Sequence, residues 1–175
     1  MTTDSDQLCY PIGPWQAQDQ YSPETLQQII QRIRQLPGEY EVVVSGLSAD
    51  QLAKQYRTGS WTVLQLVHHV ADTHLLHFLR LKHALTEPDT TAVMGDVNAW
   101  AALEEARTAP PADSLLMLTG LHSRIAHVAD TLTTADLAIT YYHPGRQRHL
   151  TLAQALSVVV WHGEHHLAHI RLALG

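Results

Sequence analysis

GSWTVLQLVHHVADTHLLHFLRLKHALTE, residues 59–87, is the stretch on which the fold turns. Its Thr62-Val-Leu-Gln65 fits a capping box, in which a hydroxyl bonds the backbone N–H three residues on and a glutamine side chain reaches back to the cap. Behind the cap, Val63, Val67, Val70 and Leu81 recur at helical spacing, so a helix is predicted from there to about Thr86. The same grammar recurs at Thr151-Leu-Ala-Gln154, which opens a helix whose apolar stripe is Leu156, Val159, Leu167, Ile170 and Leu174. Upstream, Ser22-Pro23-Glu24 sets a capping hydroxyl, a first-turn proline and an acid at the positive end of the dipole, predicting a helix to about Leu36. Pro37-Gly38 is expected to interrupt it. The following YEVVVSGL has β-branched residues suited to a strand, but with no partner strand evident it is read as helix. A short helix from Asp96 and a long one from about Ala112 to Leu132 complete the count, and ITYYHPGRQRHLT, residues 139–151, reads as a loop around Pro144-Gly145. Four long helices joined by long connections predict an all-α four-helix bundle with crossover connections. Residues 1–175 are expected to form one domain, with 1–21 as an extended arm.

Composition narrows the function. A formal charge of -6 lacks the basic footprint that phosphate-backbone binding needs, so no nucleic-acid partner is expected. No apolar run approaches the roughly 18 residues of a membrane span, and nothing marks the N-terminus for export, so a cytoplasmic location without a membrane partner is expected. The single cysteine, Cys9, lies in the arm without a catalytic environment and is read as incidental. The anomaly is histidine: 13 residues, crowded into VHHVADTHLLH (67–77) and WHGEHHLAHI (161–170), both on predicted helices. Chemistry should be sought there.

On the last helix, His162 and His166 lie one turn apart on one face, as do His165 and His169. The first pair sits nearer the apolar stripe and so turns into the bundle, while His165 and His169 are expected towards solvent. A third ligand should come from a facing helix. On the 62–86 helix His74 and His77 lie closer to the centre of the apolar face than His69, so spacing alone would not select His69. Glu164 is not the glutamate of a zinc-protease H-E-x-x-H, since it follows its first histidine by two residues and faces away. Asp72 could orient a ligand by accepting its second N–H, or could be an ordinary exposed acid. Arg80 and Arg124 read more readily as surface charges than as substrate ligands. Trp61, Trp100 and Trp161 read as core.

The run 59–87, together with YPIG (10–13), YYHPGRQRHLTLAQAL (141–156) and WHGEHHLAHI (161–170), resembles the YfiT branch of the DinB-like proteins over nearly the whole chain. That resemblance implies a four-helix bundle holding one divalent metal ion through three histidines, one in an H-x-A-D stretch and two in H-x-x-x-H. Carried onto this sequence they are His69, in His69-Val-Ala-Asp72, with His162 and His166. It also suggests a homodimer. Three imidazoles suit zinc or nickel and leave coordination positions open. Tyr142 and Arg148, in the segment before the last helix, are candidates for binding the substrate or cofactor.

Two reactions are then open: hydrolysis by a metal-activated water, and transfer of a small thiol, such as bacillithiol, to an electrophile. Members of the branch are described as metal-dependent hydrolases, and relatives in the wider superfamily use low-molecular-weight thiols. No general base is recognisable beside the three histidines, so thiol transfer to a small-molecule substrate is the preferred expectation.

Overall fold

The computed structural model describes residues 8–87 and 89–175. Four long helices dominate it: α1 Pro23–Val44, α2 Val63–Thr86, α3 Pro111–Asp130 and α4 Leu152–Leu174. A hairpin of β1 Thr140–His143 and β2 Arg148–Thr151 precedes α4. The three predicted caps are in place. Ser22 accepts from the Thr25 N–H, and Thr62/Gln65 and Thr151/Gln154 are complete capping boxes. Asp96 caps a short helix at Val97–Ala101, as expected.

Two expectations are corrected. Pro37 does not end α1, which continues to Val44. A proline removes the N–H that would bond the carbonyl four residues back, here that of Ile33. His122 of α3 donates to this carbonyl through Nδ1, so the fold supplies the missing partner and the helix runs on. Nor is 139–151 an irregular loop. Tyr141 pairs with Leu150 and Tyr142 with His149, and Gln147 takes the left-handed conformation at the turn. Tyr141 and Leu150 are both buried on the inner face, which gives the hairpin an apolar anchor.

α1 packs on α3 and α4, and α2 packs on the same two, giving the cyclic order α1–α3–α2–α4. Two apolar clusters fix the directions. One joins Ile33, Phe78, Leu81, Ile125, Leu152 and Leu156, and the other Tyr40, Val44, Val63, Val67, Leu118 and Ile170. Along α1 and α4 the first cluster precedes the second, and along α2 and α3 the order reverses. So α2 and α3 run parallel, as do α1 and α4, and the parallel neighbours α2 and α3 are joined by the long crossover 87–110. Between the clusters lies a layer of polar side chains: His74, His122 and His162, with the Tyr40 hydroxyl donating to the Gly163 carbonyl at 2.7 Å. The candidate site is built on this layer.

The N-terminal arm lies along α4. Trp161 donates to the Gly13 carbonyl, Gln154 to that of Gln18, and both Trp15 and Tyr21 bond Ser157. Among the described residues, no helix is long and apolar enough to cross a membrane.

Candidate metal centre

α4 presents His162 and His166 one turn apart, and α2, its antiparallel neighbour, presents His69 opposite them. His69 Nε2 lies 3.2 Å from His162 Nε2 and 3.2 Å from His166 Nε2. Burial pushes the pKa of His69 down to about 4 and those of His162 and His166 well below the ordinary histidine value, neighbouring imidazoles adding to the effect. All three rings are therefore neutral at pH 7, the form in which an imidazole nitrogen binds a metal.

Each Nδ1 meets a polar partner. That of His69 lies 3.4 Å from Thr73 Oγ1, that of His162 3.0 Å from His74 Nε2, and that of His166 3.4 Å from His169 Nδ1. The Trp61 ring stands 4.6 Å from that of His69, centre to centre, and walls the group on one side. A cleft of about 380 Å³ opens against His166, lined also by Tyr10, Trp61, Asn98 and Arg57. Larger grooves of about 650 and 760 Å³ contain no histidine, though Trp61 also borders the first.

The donor set fits a divalent ion. Two nitrogens about 2.0–2.1 Å from one ion at near-tetrahedral angles lie roughly 3.3 Å apart, close to the separations found here. His165, His166 and His169 also come near enough to one another for a shared ion. They are the weaker candidate, because His169 Nε2 is taken by the Leu8 carbonyl at 3.0 Å and its Nδ1 faces His166.

Several placements differ from expectation. His165 and His169 do not face solvent. The arm and the segment before α2 cover that side of α4: the Tyr10 ring stands 5.8 Å from that of His165 and Tyr56 stacks on His169 at 3.9 Å, and both histidines are buried. Tyr142 and Arg148 are not brought to the three histidines. Strand alternation turns Tyr141 and His143 inward and leaves Tyr142 half-exposed against His149, with Arg148 exposed. Arg80 is buried and donates through Nε and Nη2 to the Val93 carbonyl, whereas Arg124 is exposed over Phe78. Asp72 faces a groove with Trp100 and Glu105, so the partner of His69 is Thr73 instead. Glu164 pairs with Arg32 on α1, away from the site as the sequence indicated. Sequence reasoning missed Thr73, Trp61 and the role of His122. Only Thr73 carried a signal, as the residue one turn after His69.

Against known proteins, the family model described as "DinB superfamily" matches residues 18–170. "Putative metal-dependent hydrolase YfiT" of Bacillus subtilis is 38% identical over 163 residues, covering 93% of this chain and 92% of its own. A Bacillus licheniformis protein named in the same way is 40% identical over 166 residues, covering 95% and 94%. The solved structure of the Bacillus subtilis YfiT, described as "a probable metal-dependent hydrolase with an unusual four-helix bundle topology", superposes with a TM-score of 0.92 at 38% identity, covering 94% of each chain.

Proposed function

The chain belongs to the DinB superfamily, and from that membership and the three-histidine geometry we propose that it is a divalent-metal-dependent enzyme that transfers a low-molecular-weight thiol, of the bacillithiol kind, to a small electrophile. The observation that carries the metal is that the Nε2 atoms of His162 and His166, both neutral, each lie 3.2 Å from that of neutral His69. His69, His162 and His166 would hold the ion, with zinc or nickel matching an all-imidazole donor set. When bound, such an ion lowers the pKa of a coordinated thiol or water and so supplies a nucleophile at neutral pH.

The chain's own residues favour the thiol. Among the described residues, the groups close enough to bring a histidine and two more donors together include no carboxylate. The imidazoles nearby are poor proton acceptors, since burial lowers the pKa of His77 well below its ordinary value and that of His165 to about 4. A thiol, with an ordinary pKa of about 8.5, needs far less help to lose its proton than water does at about 15.7. In the transfer, the thiol proton leaves to solvent, the S–C bond forms, and the displaced halide departs or the opened epoxide oxygen takes up a proton. Trp61 covers His69 on one side, and the cleft against His166 offers room for a small substrate.

A second reading is hydrolysis, favoured by the names of the relatives. The deciding experiment loads the protein with zinc or nickel and measures two rates: conjugation of bacillithiol to a halogenated aromatic, and cleavage of esters and amides without thiol. The transfer reading expects metal-dependent conjugation that chelation abolishes. Robust metal-dependent hydrolysis, with thiols acting only as inhibitors, would replace it by the second reading.

A further inference from the structure

The hydrogen bonds behind His162 run in one direction. They end at the Ile33 carbonyl, which can only accept, so His122 Nδ1 carries the hydrogen of that bond. A neutral imidazole has one N–H, so His122 Nε2 is left as an acceptor. His74 Nδ1 lies 2.6 Å from it and is therefore the donor. His74 is completely buried, and its aromatic neighbours are other histidines. It is neutral, since a buried imidazolium with no carboxylate beside it is heavily penalised. Its Nε2 then accepts, and the partner 3.0 Å away, His162 Nδ1, donates. What remains on His162 is the Nε2 lone pair, aimed at His69 and His166.

We propose that His122 and His74 form a polarised imidazole relay that fixes the tautomer and ring angle of His162, so that its Nε2 lone pair is held ready for the metal. The relay is anchored on a carbonyl that is open to a side chain because Pro37, four residues on, has no N–H to give it. A shorter limb does the same for His166. His169 Nε2 donates to the Leu8 carbonyl at 3.0 Å, which leaves its Nδ1 to accept from His166 Nδ1 at 3.4 Å. The proline that reads as a helix break and the histidine nearest the centre of the α2 apolar face thus serve one purpose. His74, His122 and His169 are positioning residues, acting on the ion through its ligands.

This inference rests on His69, His162 and His166 being the metal ligands, and two measurements keep the ideas apart. The first needs neither metal nor a variant: long-range ¹⁵N–¹H correlation of histidine rings in the metal-free protein. His122, His74 and His162 are expected as Nδ1–H tautomers, and an Nε2–H tautomer at His74 or His162 overturns the relay whatever the metal does. The second is zinc affinity by competition with a chromophoric chelator. Substituting an outer partner of a metal ligand typically weakens binding 10–100-fold. A loss of that size is expected for His74→Leu and His122→Leu, with partial recovery in His74→Gln, whose amide can accept from His162 and donate to His122. The exposed His127→Ala should bind as the unaltered protein does. Unchanged affinity in folded His74→Leu and His122→Leu overturns the proposal. Failure of the unaltered protein to bind zinc or nickel sinks the metal reading, while the tautomer spectrum still decides the relay.

Discussion

His69 and His162 show at the scale of single residues how burial prepares a ligand. Enclosed among apolar groups and other imidazoles, each refuses a proton, His69 down to about pH 4 and His162 to well below its ordinary value. Protons and the ion compete for the same nitrogens, so a depressed pKa tilts that competition towards the ion on the acid side. Bound zinc should therefore persist as pH falls through 6.5, where an exposed histidine cluster would release it, and be lost only towards pH 4–5. Elemental analysis after dialysis at stepped pH measures this, and release complete by pH 6 would contradict it. At neutral pH, His69→Ala, His162→Ala and His166→Ala should each lose most of the metal, because two remaining donors hold an ion poorly. Full occupancy in His69→Ala would move the third ligand to another histidine of α2.

Helix ends and the contact between α1 and α4 carry the element-scale predictions. Thr62→Ala and Thr151→Ala each remove the hydroxyl half of a capping box and should cost about 1 kcal/mol apiece. The effects should add in the double variant, since the two caps serve different helices. Urea unfolding reads both, and no change of midpoint for either would show that the caps do not matter. Gly163 is more demanding. A Cβ there would come within 2.9 Å of Leu36 Cδ1 and 3.5 Å of His74 Cε1. Gly163→Val should thus destabilise by roughly 1–3 kcal/mol through overpacking and also reduce metal content, because the further methyl groups of valine crowd the ring that bonds His162. Normal stability with a full complement of metal would show that α1 and α4 can separate freely. The caps were legible in the sequence because they are local hydrogen bonds with fixed spacing. The need for glycine at 163 was not, because the group it avoids sits on another helix.

Over the whole molecule, the buried neutral histidines link the fold to pH. His69, His74, His77, His122, His162 and His166 all hold pKa values below the ordinary one, chiefly through burial. The unfolded chain binds protons at these sites near pH 6.5 and the native state does not, so falling pH favours unfolding. Their contribution is complete above about pH 6.5 and is lost as pH drops towards 4, each tenfold difference in proton affinity between the folded and unfolded chain being worth about 1.4 kcal/mol. The metal-free protein should therefore show a flat Tm from pH 7 to 8 and a steep decline between 6.5 and 4. A saturating divalent ion should raise Tm at pH 7 by mass action on the native state. Thermal scans across that range test both, and a Tm unchanged from pH 7.5 to 5 would mean that the histidines titrate normally in the fold.

What the sequence determined by itself was local: four helices, three of them with their caps, and the pairing of His162 with His166 one turn apart on the apolar side of α4. These follow from hydrogen bonds and periodicities within a few residues. Spacing on α2 leaned towards His74 and His77 and would not have selected His69. A hydrophobic stripe marks the middle of the core, and here that middle is a polar layer between two apolar clusters, so the central histidine, His74, lies behind the site. His69, off centre on α2, is the one that faces His162 and His166; the family resemblance singled it out, and the packing of α2 on α4 brings the three together. The continuation of α1 past Pro37 was equally beyond local reading. Its open carbonyl is met by His122 from a helix 89 positions along the chain, and only the tertiary structure brings donor and acceptor together.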